Sequence, residues 1–278
     1  MVRRILAQEK DGAGATGPGA RARGRTRGGR GFFLILVLAS VAGILAGCGR
    51  HSDVDPTKAR SRIQRSVRQC LEERGGHRAL VGVAAYRAEG LITLIPERRV
   101  AKFVRWYDPA GRMRTELREK DRGEVRIISE AGTWSGADDR SLAFGESALL
   151  DILSLAVARR DFPAPFVANE DSLELADHDK KKRTVLRARS SSGVLVDYSL
   201  DSKKSKLQVI SARAEEEPDF TLRVELKSFR KIQGARFPFK ETIYRGKQKL
   251  AVVRFRIVEP VPDIPEALFV PRVTPADP

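Results

Sequence analysis

The chain has 278 residues, with 52 Lys or Arg against 36 Asp or Glu, a formal charge of +16. That length can bury roughly 70% or more of the unfolded surface in one core, and two cysteines exclude a disulfide-built scaffold. The positive balance points to acidic surroundings, such as anionic lipid headgroups or an acidic partner.

Phe32–Ala46 carries no charge and follows Arg21, Arg23, Arg25, Arg27 and Arg30. A positive flank, a short apolar run and then small residues are the layout of a secretory signal. The run falls short of the about 20 residues a spanning helix needs. Its end, Leu45-Ala46-Gly47-Cys48, resembles the bacterial lipobox. The resemblance implies diacylglycerol on the Cys48 sulfur, cleavage before Cys48 and acylation of the new amino group. Two or more acyl chains anchor stably, so the membrane is the first expected partner. The expected organisation is a signal peptide over 1–47, a lipidated tether over 48–54 and a single domain over 55–278. The same lipoprotein resemblance implies the outer membrane facing the periplasm, because Gly49 stands where Asp in Gram-negative lipoproteins favours the inner membrane. The leader holds eight Lys/Arg and two Asp/Glu, so residues 48–278 keep +10 of the +16. A secreted, tethered location speaks against nucleic acid as a partner.

Asp55-Pro56 reads as a helix start, and Ile63, Val67, Cys70 and Leu71 repeat at helical spacing up to Gly75-Gly76. The rest of that helix is Arg-rich and wet. Cys70 reads as a small buried residue. From Leu80 the period becomes strand-like. Leu80–Ile95 has a possible turn at Glu89-Gly90, and Val100–Tyr107 ends in the turn Asp108-Pro109-Ala110-Gly111. Trp106 and Tyr107 point to opposite faces of one strand. Met113, Thr115 and Leu117 alternate with Arg112, Arg114, Glu116 and Arg118, and Val125–Ser129 and Thr133-Trp134 follow. Glu146–Arg160 is the exception, a helix apolar on more than half its circumference, stopped by the apolar loop Phe162–Phe166. Strands resume at Leu173–Leu175, Thr184–Arg189, Val194–Leu200 and Leu207–Ala212. In Thr221–Phe229, Phe220, Leu222, Val224 and Leu226 share a face. Phe237–Tyr244 comes next, and in Lys249–Val258 the residues Ala251, Val253, Phe255 and Ile257 share a face. Consecutive strands on short turns predict an α+β fold. Its centre is a curved antiparallel sheet of about ten strands, an unclosed β-barrel covered by helices, with one apolar and one wet face.

No catalytic signature accompanies this pattern. His51, His77 and His178 lack partners at metal-ligand spacing, and Asp177-His178-Asp179 reads as a turn. Asp138-Asp139 and Glu215-Glu216-Glu217 read as solvated loops, and Lys180-Lys181-Lys182-Arg183 as a solvated turn. There is no nucleophile elbow, phosphate loop or dinucleotide fingerprint. The expectation is a non-enzyme with no cofactor beyond covalent lipid.

Three stretches resemble the outer-membrane lipoprotein carrier and receptor superfamily (LolA/LolB-like). Val196–Asp201 with Leu207–Ile210 resembles its strand, turn and Leu-x-x-Val strand. Gly234–Phe239 resembles its Gly-x-x-x-Pro strand entry, and Ile264–Phe269 with Pro271 its ending. The resemblance covers roughly residues 60–272. It implies an unclosed barrel with helices as a lid over an apolar cavity for acyl chains, and Phe162–Phe166 as a protruding apolar loop. The expected lining is Met113, Leu117, Leu153, Phe220, Leu222, Val224, Leu226, Val253 and Phe255. The expected function is membrane-anchored binding of lipid or lipoprotein acyl chains, for transport or localisation to the outer membrane. The alternatives are a non-lipid envelope sensor or assembly module, with a protein partner and a filled interior, and an envelope hydrolase.

Overall fold

The structure is a computed structural model. It describes residues 56–129, 131–144, 148–159, 173–176, 183–190, 193–201, 203, 205–217 and 220–271. The leader, Cys48, His51, the Asp55 cap, the Phe162–Phe166 loop, His178 and Lys180–Lys182 lie outside these residues.

Two helices open the domain, α1 over Pro56–Glu73 and α2 over Gly76–Gly82. Six strands follow: β1 Tyr86–Leu94, β2 Arg99–Asp108, β3 Arg112–Arg118, β4 Gly123–Ser129, β5 Gly132–Gly136 and β6 Ala143–Phe144. Helix α3 spans Ala148–Ala158. Seven more strands complete the sheet: β7 Leu173–Ala176, β8 Thr184–Arg189, β9 Val194–Leu200, β10 Leu207–Ala214, β11 Thr221–Ile232, β12 Ala235–Arg245 and β13 Gln248–Pro260. A 3-10 turn at Glu266–Leu268 precedes the C-terminal residues. Among the described residues no helix is long and apolar enough to cross a membrane.

The strands form one antiparallel sheet in the order β6-β5-β4-β3-β2-β1-β13-β12-β11-β10-β9-β8-β7. The chain meanders outward from β1 to β6, then resumes at β7 on the opposite edge and meanders back until β13 pairs with β1. Helix α3 stands in the connection between the two edge strands. The sheet is not closed, as the sequence predicts, and its strands number thirteen rather than about ten. Part of the excess comes from the two-residue β6.

Two local expectations change. Gly75-Gly76 ends α1, but the chain then forms α2 instead of entering a strand, which places His77 in a helix. Gly75 sits at φ 111°, and a Cβ there would meet the Gly234 carbonyl oxygen at 2.4 Å. Glu89-Gly90 is a register shift against β13 within one unbroken strand, not a turn. A Cβ on Gly90 would lie 2.0 Å from the Arg254 carbonyl oxygen, so the close strand approach requires glycine.

The alternation sorts the two faces. Inward on the concave side lie Tyr86, Ala88 and Ile92 of β1, Phe103 and Tyr107 of β2, Met113 of β3, Phe237 and Phe239 of β12, and Val253 and Phe255 of β13, in one cluster. The other wing gives a second cluster with Val196, Tyr198, Ile210, Leu222, Val224 and Leu226, sealed by Ile63, Val67 and Cys70 of α1. Ile243 packs against both clusters. The outer face is not wet throughout. Over β2, β4 and β5, Trp106, Val125, Ile127 and Trp134 are covered by Val261, Ile264, Leu268 and Phe269. Strands β2 and β4 therefore carry apolar residues on both faces, and the C-terminal segment shields the outer set from water.

Candidate functional site

Helix α3 contributes to both concave clusters. Leu153, Ala156 and Val157 enter one, while Leu155 and Ala158 reach the other. Leu149, Leu150 and Ile152 are only partly buried. A helix this apolar needs cover on more than one side, and its position between the edges makes it the roof of the concave face.

Polar contacts hold the roof near both ends. Arg126 of β4 donates from Nε to Asp151 Oδ1 at 3.1 Å, and its Nη2 also pairs with that oxygen. Thr133 Oγ1 of β5 donates to Asp151 Oδ2 at 2.7 Å. At the other end, Tyr86 Oη of β1 donates to the Ala158 carbonyl oxygen at 2.9 Å, satisfying a helix-end acceptor.

Under this roof lies a buried ion pair. Arg105 of β2 donates from Nη1 and Nη2 to the two Glu241 oxygens of β12, at 2.9 and 2.8 Å. Their side chains are 7% and 1% exposed. Arg105 lies opposite Ala88, whose small side chain leaves room for a link across β1 and β13. The guanidinium carbon stands 5.4 Å from the Phe103 ring centre and 5.2 Å from that of Phe255. Burial pulls the Arg105 pKa down, but Glu241 and then Tyr86 push it up, and the net shift is upward. The pair is bidentate and walled by aromatic rings.

The nine expected lining residues divide between the two clusters. Leu153, Leu222, Val224 and Leu226 are buried in one, with Phe220 half-buried against it. Met113, Val253 and Phe255 are buried in the other, with Leu117 packed beside it. Two of the cavities among the described residues bear on this lining. One, of about 430 Å³, lies by Arg112, Trp134 and Phe269 on the outer side. The other, of about 300 Å³, is lined by Arg183, Lys206, Glu225, Leu226, Lys227 and Phe229, among others. Of the nine, only Leu226 borders either cavity.

Sequence reasoning missed Arg105, Glu241, Arg126 and Asp151. Parity carried a signal for the first two. Arg105 shares its face with Ala101, Phe103 and Tyr107, and Glu241 shares its face with Phe237, Phe239 and Ile243. A charge on an apolar face is the mark of a buried pair. The other polar candidates are structural. Asp138 accepts from the backbone N–H groups of Arg140 and Ser141, while Asp139 pairs with Arg114. Glu215 pairs with Arg189. Trp106 and Tyr107 do point to opposite faces: Tyr107 is buried inside, and Trp106 lies outside with the Arg87 guanidinium 5.1 Å over its ring. Trp134 meets Phe144 edge-to-face at 5.9 Å. Among the described residues no His, Cys, Asp and Glu cluster could hold a metal ion.

No protein-family model matches the chain. No curated protein matches it. Among solved structures it is similar to a LolA superfamily protein from Nitrosomonas europaea, at 12% identity and a TM-score of 0.49, covering 74% of this chain and 96% of that one. A DUF1329 family protein from Desulfovibrio piger is 9% identical with a TM-score of 0.48, over 75% of this chain and 97% of that one. A domain named for outer membrane lipoprotein sorting, from Vibrio parahaemolyticus, is 10% identical with a TM-score of 0.46, over 77% and 96%. At such scores no ligand or activity carries across.

Proposed function

We propose that the protein is a membrane-anchored envelope lipoprotein that holds acyl chains on the concave face of its sheet, beneath α3, without making or breaking bonds. The lipobox-like Leu45–Cys48 supports the anchor, with Cys48 the lipidated residue. The outer membrane, facing the periplasm, is the proposed site. One observation carries the binding reading: an apolar helix joins the two unpaired edges of an open sheet, directly over two apolar clusters. Lifting that helix exposes hydrocarbon surface, and an acyl chain covers that surface in its place. Each buried CH₂ is worth about 0.8 kcal/mol. Met113, Leu117, Leu153, Phe220, Leu222, Val224, Leu226, Val253 and Phe255 are the residues proposed to touch the chain.

Displacement of a fluorescent acyl probe by saturated fatty acids of increasing length tests the reading. Affinity should rise roughly three- to fourfold per added CH₂ until the site is filled. Affinity independent of chain length would sink it. A second reading, an envelope sensor or assembly module with a filled interior, is favoured by the packing of the nine residues into clusters. It predicts no saturable displacement at any length.

A further inference from the structure

Helix α1 buries Ile63, Val67 and Cys70 against the second wing of the sheet, so its apolar stripe is already occupied. Lys58, Arg60, Arg62, Arg65 and Arg68 are exposed. Lys58, Arg62, Arg65 and Gln69 follow one another at helical spacing on the side away from that stripe. No acid lies in the first turn. Lys58 stands in the first turn, where a cation opposes the macrodipole rather than being favoured by it.

The basic stripe does not stop at the helix. Gln69 Oε1 accepts from Ser205 Oγ at 2.9 Å, which joins α1 to the segment before β10. The next residue, Lys206, lines the cavity of about 300 Å³ together with Arg183 and Lys227. Glu225 offsets one charge there, and Val209 and Phe229 supply apolar wall. The Lys206 ammonium sits 4.3 Å from the Phe229 ring centre. The result is a cationic face running from α1 to a pocket wide enough for a phosphate headgroup.

We propose that this face, formed by Lys58, Arg62, Arg65, Lys206 and Arg183, docks the domain on an anionic phospholipid surface. The proposal rests on the anchoring of Cys48 for its geometry. Eight residue steps separate Cys48 from Pro56, a span of at most about 29 Å. Within that reach the outward stripe of α1 can meet the bilayer. The attraction is electrostatic and fades within a Debye length of about 8 Å at physiological salt. The helix lies on the surface and does not insert, because its apolar side is committed to the core.

The test uses the full, lipidated chain reconstituted in phosphatidylcholine vesicles, with or without about one third phosphatidylglycerol. A fluorophore at Ser61→Cys reports energy transfer to an acceptor lipid. Transfer should rise with phosphatidylglycerol, fall back in high salt, and lose its rise in Lys58→Gln/Arg62→Gln/Arg65→Gln. The control Arg213→Gln/Arg223→Gln/Arg256→Gln should keep the rise. No rise with anionic lipid overturns the proposal, as does an equal loss in the control. So does a rise of the same size in neutral vesicles given polyglutamate, which would assign the face to acidic protein. If mass spectrometry finds Cys48 unmodified, the anchor reading falls by itself. Flotation with the two vesicle types then decides docking, with binding to anionic vesicles expected to be roughly tenfold stronger and equal binding overturning it.

Discussion

Arg105 and Glu241 show how much a single buried pair can weigh in this molecule. Both are nearly inaccessible, and removing either takes away the opposite charge that the other faces in the interior. Glu241→Gln is expected to destabilise the domain by about 3–5 kcal/mol in urea unfolding, and Arg105→Met/Glu241→Leu by far less, because the pair then becomes apolar packing. Equal losses in the two variants would contradict that account. Cys70 gives a second residue-scale prediction. Burial, opposed by the nearby Arg74 charge, pushes its thiol up to about 11 from an ordinary 9.0. The folded state therefore keeps a proton that the unfolded state releases above pH 9. Stability should fall between about pH 9 and pH 11, by roughly 2–3 kcal/mol, and Cys70→Ala should remove that part of the slope. Chemical unfolding across the range checks it. The burial of Cys70 was legible from its spacing with Ile63 and Val67. The Arg105 partner was not, because period-two reading names a face without saying what stands three strands away.

The elements divide into those written in local pattern and those set by the fold around them. Met113, Thr115 and Leu117 face inward as their alternation predicts, since a pleated strand turns successive side chains to opposite sides. Helix α2 was missed because Gly76–Gly82 is only about two turns long, held by packing of Leu80 and Val83 against Ala235 rather than by a periodic stripe of its own. The covered outer face was missed because the shielding residues Ile264 and Phe269 are distant in sequence from Val125 and Ile127. Helix α3 was legible as apolar, yet its one acid, Asp151, proves to be its fastening. Asp151→Asn removes the charge that Arg126 pairs with and weakens the bond from Thr133. Hydrogen exchange should then quicken in Ala148–Ala158 while the central strands β1 and β13 keep their protection. Uniform quickening across the sheet would mean that Asp151 supports the whole core and not the roof.

At the scale of the whole molecule, the sheet's order matters most. Outward meander, crossing, and inward meander leave two free edges with α3 between them in the chain. Antiparallel pairing was predictable from the short turns, but the pairing of β1 with β13 was not, because only the closed path of the chain brings Tyr86 opposite Pro260. That long-range pairing makes the concave face continuous from β4 to β9. It also lets Ile243 pack against both apolar clusters. The proposal that acyl chains occupy this face follows from the roof's composition and place. The most direct test is native mass spectrometry of the full chain after gentle extraction from the envelope. The account predicts a population heavier than the anchored protein by the mass of a bound lipid, released on mild activation. A single species at the anchored mass, whatever the detergent, would contradict it.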